Sequence, residues 1–490
     1  MTMSPTFAYP ISNDPRTILI DGVLRGAASG GGIPVLDAAT GKPFSTLSAG
    51  SAADVDAAVG SARAASESWA RTDAMTRGRI LTRLAGLIEA KAGRLAEIES
   101  RDVGKPLKQA KSDVVACARY FEFYGTAADK LHGETIPYRD GMTVIVLREP
   151  WGVTGHIIPW NYPLQIMGRS VGAALAAGNA TVVKPAEDAS LSIVMIGELA
   201  LEAGVPPGVF NVVTGYGHEA GAALSAHPDI NHISFTGSPQ TGTAVQQAAA
   251  RNNVSVVMEL GGKSPQIVFA DADLDAAVPV IVAAIVQNAG QTCSAGSRLL
   301  VERPVYEALI GRLKPIFDGL KVGPGCDDLD CGPLVNAKQK ARVEAMVGAA
   351  VAAGVPVIAE GALAPGASQD GFFVTPKILG PVPPTERIAC DEIFGPVLVV
   401  TPFDSEDEAV AYANATDYGL VASVWTRDGG RQMRLVHKIK AGQVYINNYG
   451  AGGGVELPFG GYKRSGFGRE KGFEGLKSFT VMKTAVFRHG

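Results

Sequence analysis

From residue 153 onward the chain changes rhythm, and that change restricts its fold more than any other feature. Five short runs rich in β-branched residues, at 153–158, 180–184, 210–214, 232–236 and 254–259, alternate with stretches of helical character. Strands separated by helix-length crossovers pair in parallel, and a parallel sheet needs helices on both faces. The expected fold class is therefore α/β, with a doubly wound sheet. A second alternation follows Gly262, with runs at 266–269, 299–301, 356–358, 372–378, 397–401, 420–425 and 444–447, and predicts a second α/β domain. At 490 residues the chain is too long for one ordinary core, which agrees with that division.

Upstream the pattern is helical. Ser51 with Asp54 three residues on marks a helix start, and Val55, Val59, Ala62, Ala65 and Trp69 follow at helical spacing. A second helix carries Ile80, Leu84, Leu87, Ile88, Leu95 and Ile98 on one face and ends at Gly104-Lys105-Pro106; a third runs over about 108–130. Their charged faces read as solvated surface. The first 50 residues read as an irregular lead-in with short strands near 17–21 and 34–36. The segments 133–137 and 141–147, and the tail 478–487, read as strands outside the main sheets.

Ligands of open α/β sheets bind beyond the carboxyl ends of the strands, so the loops that follow the strands are where chemistry is sought. Glycine, 59 of 490 residues, exceeds the usual ~7%, and the excess sits in those loops. Gln287-Asn-Ala-Gly-Gln-Thr-Cys293-Ser-Ala-Gly-Ser-Arg298 joins an apolar helix, 276–286, to a strand and presents one thiol on a turn of small residues. A main-chain N–H on such a turn can face an oxyanion. A lone cysteine is more often a small buried hydrophobe, so the assignment depends on its company. Asn161 stands between two prolines in Pro159-Trp160-Asn161-Tyr162-Pro163, a rigid setting for a side-chain amide donor or for an Asx turn.

Lys184 and Glu187 lie on a strand-to-helix loop, where a carboxylate can accept ribose hydroxyls and repel a 2′-phosphate. Phe235-Thr-Gly237-Ser238-Pro-Gln-Thr-Gly242 joins a strand to a helix start suited to a pyrophosphate. Its spacing differs from the common dinucleotide fingerprint. Glu259 ends a strand inside an apolar run and precedes two glycines; burial there would raise it toward the range of a general base. Cys390-Asp-Glu392-Ile-Phe394-Gly-Pro396 and the segment 458–470 are turn-rich and polar.

Composition excludes several classes. With 44 basic and 48 acidic residues interleaved, net charge is −4, and no basic stripe suits a nucleic acid. No run approaches the ~18 apolar residues of a membrane helix. Residues 1–10 lack the basic and apolar regions of a secretory signal. Five scattered cysteines suit a reducing, cytoplasmic setting, and Cys326 and Cys331 have no histidine or further cysteine nearby to build a zinc site. No metal site is expected.

Together, in order and spacing from about residue 50 to the C-terminus, these stretches resemble the NAD(P)-dependent aldehyde dehydrogenase superfamily in its non-acylating, hydrolytic form. Glu259 stands 34 residues before Cys293, as the resemblance requires. It implies a Rossmann-type dinucleotide-binding domain (1–130 and 151–259), a catalytic domain (260–465) and a small β oligomerisation arm (131–150 and 476–490), the arm serving a homodimer or homotetramer. It implies Cys293 as nucleophile, Asn161 with the Cys293 N–H as oxyanion hole, and Glu259 as activator of the hydrolytic water. Trp160, Lys184, Glu187, Gly237, Ser238, Gly242, Glu392 and Phe394 would meet the cofactor, NAD in preference to NADP because of Glu187. Arg169, Gln287, Thr292 and Ser294 would line the pocket for a small-molecule aldehyde.

Succinic semialdehyde dehydrogenases resemble this chain at Arg169 but usually carry a second arginine where Gln287 stands. The glycine-rich segment 449–455 occupies a place where relatives often put an aromatic wall. Both features point to a bulky or aromatic aldehyde, with succinic-semialdehyde-like and betaine-aldehyde-like substrates as alternatives. A CoA-acylating relative would usually lack Glu259, and a non-catalytic one would be expected to have lost Cys293, Asn161 or Glu259; all three are present.

Overall fold

The computed structural model describes residues 15–450 and 454–489. Its largest sheet has the strand order Val23–Arg25, Ile18–Ile20, Phe210–Val212, Ala180–Pro185, Val153–Ile158, His232–Thr236, Ser255–Glu259, Gly466–Phe467. The five central strands are parallel, and Ala180–Pro185 and His232–Thr236 are buried along their whole length, their polar members Thr181, Lys184, His232, Ser234 and Thr236 included. The two outer additions are antiparallel: Ile18–Ile20 on one side and Gly466–Phe467 on the other. The last strand is two residues long and returns from far along the chain to pair with Met258 and Glu259. Nothing in its length or pattern announces it.

The second sheet has seven strands, ordered Val357–Glu360, Lys377–Leu379, Val397–Phe403, Arg298–Glu302, Pro265–Val268, Val421–Trp425, Gln443–Ile446. All its pairs are parallel except the outermost, Val357–Glu360 on Lys377–Leu379. The strand expected over 372–378 is a correction: only Lys377–Leu379 pairs. Phe372 spends its backbone groups elsewhere, taking Ala38 O at 3.0 Å and giving its carbonyl to Leu334 N at 2.9 Å. Its ring and Val374 fill an apolar cluster with Leu334 and Val343. Apolar content there reflects side-chain burial rather than sheet pairing.

A third, three-stranded antiparallel sheet joins Glu134–Ile136, Met142–Pro150 and Thr480–Arg488. It leaves Ile136, Leu147, Met482, Val486 and Phe487 exposed. Among the described residues, no helix is long and apolar enough to cross a membrane.

The N-terminal helices depart from expectation in two ways. The helix expected to run past Ile98 breaks at Lys91 into Ala74–Ala90 and Ala92–Val103. The charged residues of this region are also not all solvated: Arg77, Glu99, Asp102, Lys105 and Asp113 are buried. Arg77 donates to the carbonyls of Thr72 and Ala176, tying the first helices to Pro163–Ala177. Helical periodicity locates an apolar face but does not say whether a second element covers the polar one.

The root of the C-terminal strand rests on two buried histidines. The His232 ring stacks on Trp151 at 5.6 Å and meets the edge of Phe479 at 5.2 Å, and neither ring nitrogen has a hydrogen-bond partner among the described residues. His156 stacks on Phe479 from another side at 5.4 Å. Burial lowers His232 to about 4; burial, then the neighbouring His232, lowers His156 to about 3. Both values lie below that of an unfolded histidine, so the unfolded chain takes up protons first as pH falls. Stability held above pH ~6.5 should therefore drain between pH ~6.5 and ~4, His232 alone contributing on the order of 3 kcal/mol. Thermal unfolding of the protein and of His232→Phe over that range checks this. The variant should lose less, and parallel curves would show that His232 does not drive the acid response.

Candidate active site

The strand ends of the two large sheets face one another across a cleft of about 990 Å³. Trp160, Asn161, Glu187, Gly237, Ser238, Cys293, Glu392 and Phe394, eight residues anticipated from sequence, stand on its wall. That size suits a dinucleotide-scale ligand.

Cys293 follows the helix Leu274–Val286, which starts at Asp273, whose carboxylate accepts from the N–H groups of Asp275 and Ala276. Beyond the helix, Asn288 (φ 47°), Ala289 (φ 51°) and Gly290 (φ 72°) take left-handed conformations in succession. Two non-glycine residues held this way cost energy, and they persist only where the surroundings over-determine them. Here the Asn288 N–H donates to Gln109 Oε1 at 2.7 Å and its side-chain amide donates to Asn161 O at 2.9 Å. Gln291 Nε2 donates to Asn288 O at 3.1 Å, while its Oε1 accepts from Val335 N at 3.0 Å. The turn is wound back and fixed so that Cys293 reaches the cleft.

Asn161 is 4% exposed. Its Nδ2 donates to Gln291 O at 3.0 Å, two residues before the thiol. An amide nitrogen carries two N–H bonds, so one holds the nucleophile loop and the other is available to the cleft. Glu259 lies buried at the end of its strand, and neither carboxyl oxygen has a hydrogen-bond partner among the described residues. Burial, then Glu470, pushes its carboxyl well above the usual range, against Arg169, Arg469 and Lys471. Burial likewise pushes the Cys293 thiol up to about 12; Arg169 draws it down and Glu259 and Glu392 push it further up. At neutral pH the resting thiol keeps its proton.

The two glycines after Glu259 are there for space. A Cβ on Gly262 would collide with the Cys293 carbonyl, and one on Gly261 with the Glu392 carboxyl. The Gly262 N–H instead donates to Glu392 Oε1 at 2.9 Å. Burial still lifts Glu392 to about 7. Phe394, itself left-handed at φ 60°, sets its ring edge-on to Trp160 at 5.4 Å.

At the other end of the cleft, Ser238 caps the helix Pro239–Ala250, accepting from Thr241 N at 3.2 Å. Lys184 is buried and donates to Glu187 Oε2 at 3.0 Å. Burial works against the charge of Glu187, but Lys184 and the surrounding N–H groups outweigh it and hold the carboxyl below its usual value. Gly242 sits inside the helix, where the missing side chain lets Leu260 approach, and is not on the cleft wall.

The pocket residues expected from the sequence are placed differently. Arg169 is buried in an ion pair with Glu470, donates to Thr236 Oγ1 at 3.3 Å and lies over the Phe459 ring at 5.3 Å. Glu470 also accepts from Ser234 Oγ at 2.7 Å. Thr292 and Ser294 share a hydroxyl contact at 3.1 Å, and the Tyr449 hydroxyl donates to the Ser294 carbonyl. Gln287 closes the helix with its main-chain N–H on Ala283 O. Cys293 packs against an apolar cluster of Ala284, Leu420, Val421, Tyr449 and Phe459. Of the glycine-rich segment, residues 451–453 lie outside the described residues. The sequence reading missed Glu470 as the partner of Arg169, and Lys105, Gln109 and Asp113 altogether; no periodicity or motif distinguishes them from surface charges.

A parallel sheet whose capped helix start stands on a cleft wall shared with a turn-borne thiol is the setting of a dinucleotide-linked oxidoreductase. The chain belongs to the aldehyde dehydrogenase family, whose model matches residues 25–485. It is an NAD-dependent enzyme that oxidises aldehydes. It is 41% identical to hydroxyisobutyraldehyde dehydrogenase of Mycolicibacterium austroafricanum, over 96% of this chain and 93% of that one. It is equally identical to human retinal dehydrogenase 2, over 96% and 91%. The crystal structure of a candidate aldehyde dehydrogenase from Burkholderia cenocepacia superposes with a TM-score of 0.96 at 61% identity, covering 96% of this chain and all of that one. PnpE, crystallised with nicotinamide adenine dinucleotide, matches at 39% identity and a TM-score of 0.94, over 97% and 98% of the two chains.

Proposed function

We propose that Cys293, giving up its thiol proton to water in the cleft, attacks the aldehyde carbon through sulfur and that the resulting oxyanion is received by the Asn161 side-chain amide and the Cys293 N–H. The observation that carries this reading is the shared cleft wall, with Asn161 bonded to the nucleophile loop at 3.0 Å and one amide N–H to spare. NAD, when bound, supplies the acceptor for the hydride. Glu187 and Lys184 would hold the adenosine ribose, Ser238 and the helix start the pyrophosphate, and Glu392 and Phe394 the nicotinamide ribose. Glu187 favours NAD over NADP, because its charge opposes a 2′-phosphate. Glu259 then draws a proton from the water that hydrolyses the Cys293 thioester to the acid. Its oxygens, without a hydrogen-bond partner among the described residues, are both able to accept from that water.

We further infer a neutral, bulky or aromatic substrate. Arg169 would be the reader of a distal carboxylate, but Glu470 already neutralises it. Tyr449 and Phe459 offer apolar, polarisable walls near the thiol. The two 41%-identical relatives are named for a small and a large aldehyde, so likeness alone does not choose. A purified panel run with NAD and NADP in parallel tests the reading. Benzaldehydes should exceed acetaldehyde and succinic semialdehyde in kcat/KM by roughly tenfold or more, the worth of one or two well-filled apolar contacts. A preference for succinic semialdehyde would restore Arg169 as a carboxylate reader.

On the same reading the sheet of Glu134–Ile136, Met142–Pro150 and Thr480–Arg488 is an arm for a homodimer or homotetramer, supported by its exposed apolar residues. The five free cysteines suit the cytoplasm.

A further inference from the structure

The main-chain carbonyl of Asn161 is gripped from behind by a buried ammonium. The Lys105 side chain has no exposed surface, and its Nζ reaches Glu99 Oε1 at 2.7 Å, Asp113 Oδ2, and Asn161 O at 3.0 Å. Three N–H bonds meet three acceptors, so the ammonium is fully used. The Tyr162 ring lies 4.4 Å from the same nitrogen, fixing the residue after Asn161, and Gln165 donates to the other oxygen of Asp113. Burial pushes the Glu99 carboxyl up, against the pull of Lys105. Sinking an ammonium this deep is costly unless every contact is made, and here the contacts converge on one loop.

A second grip comes from the nucleophile side. Asn288 Nδ2 donates to the same Asn161 carbonyl at 2.9 Å, and Gln109, in the first turn of the helix Leu107–Ala127 that follows Lys105, accepts the Asn288 N–H at 2.7 Å. The segment 105–109 therefore holds both the Asn161 loop and the Cys293 loop, while Lys105 itself does not line the cleft.

We propose that Lys105 is a positioning residue for the oxyanion site: by pinning the Asn161 carbonyl, it keeps the side-chain amide in register with Cys293. This rests on the reading of Asn161 as an oxyanion donor.

A cycle of Lys105→Met, Asn161→Ala and the double variant tests it, with benzaldehyde and propionaldehyde as probes and NAD affinity read separately by fluorescence. Lys105→Met should lower kcat by roughly 10- to 100-fold, the scale of a misplacement near 1 Å, with NAD affinity unchanged. Asn161→Ala should lower it by ~10²–10³-fold. The double variant should be no slower than Asn161→Ala, because Lys105 acts only through that amide; a merely structural lesion would multiply instead. Should Lys105→Met not fold, with Glu99 and Asp113 left face to face, the neutral triple variant Glu99→Gln, Lys105→Met, Asp113→Asn takes its place. Wild-type turnover in the Lys105 variant, or a double variant slower by the full product, overturns the role of Lys105 and leaves Asn161 standing. Wild-type turnover in Asn161→Ala overturns the donor reading, and the positioning role falls with it.

Discussion

Cys293→Ala should lose aldehyde turnover by roughly 10⁴-fold or more, since no other thiol lines the cleft among the described residues. The remaining cysteines, Cys117, Cys326, Cys331 and Cys390, are not on the cleft wall. NAD affinity should survive, because the residues that cap the helix start and meet Glu187 are untouched. Tryptophan quenching on titration with NAD reads this directly, Trp160 being on the cleft wall. Burial holds the thiol at about 12, so its alkylation by iodoacetamide should be slow at pH 7 and accelerate with rising pH. Residual turnover within a hundredfold of the parent enzyme would assign the nucleophile elsewhere.

Glu259→Gln should separate acylation from hydrolysis. The variant should release about one NADH per active site rapidly and then slow by ~10²–10⁴-fold, the usual contribution of a general base. Intact-mass measurement should find the acyl group on the chain during the slow phase. The carboxyl works as a base only when ionised, and burial, then Glu470, raises it above its ordinary value. Steady-state turnover should therefore fall as pH drops through that raised value, and the variant's residual rate should follow pH less steeply. A linear time course at the parental rate would remove Glu259 from hydrolysis.

Much of this arrangement is legible in the sequence, for a physical reason. Parallel strands buried on both faces favour apolar and β-branched residues, so Val153–Ile158 and its neighbours stand out from the helices between them even with a buried Thr or His among them. Residues on the loops after those strands fall into one cleft because the topology sends every strand end the same way; Asn161, Glu187 and Ser238 needed only that rule. Cys293 and Glu259 needed the resemblance as well, because a lone thiol or carboxyl has no pattern of its own. Other features were not legible. The pairing of Arg169 with Glu470 joins a helix to a turn some 300 residues later, and nothing local encodes it. Lys105 lies in a helix break that reads as a surface turn, and only tertiary cover makes it buried. The 372–378 run failed for the converse reason, its apolar side chains being used for filling rather than for pairing.

The strand that carries Glu259 gains its outer neighbour, Gly466–Phe467, only when 467 of the 490 residues have been made. Glu470, whose charge and grip on Arg169 set the surroundings of both Glu259 and Cys293, arrives three residues later. A chain still in synthesis therefore carries its thiol without the electrostatic setting that governs it. The site is thus completed by a tertiary step, the docking of 466–470 against the strand that ends at Glu259, rather than by the loop that bears the thiol.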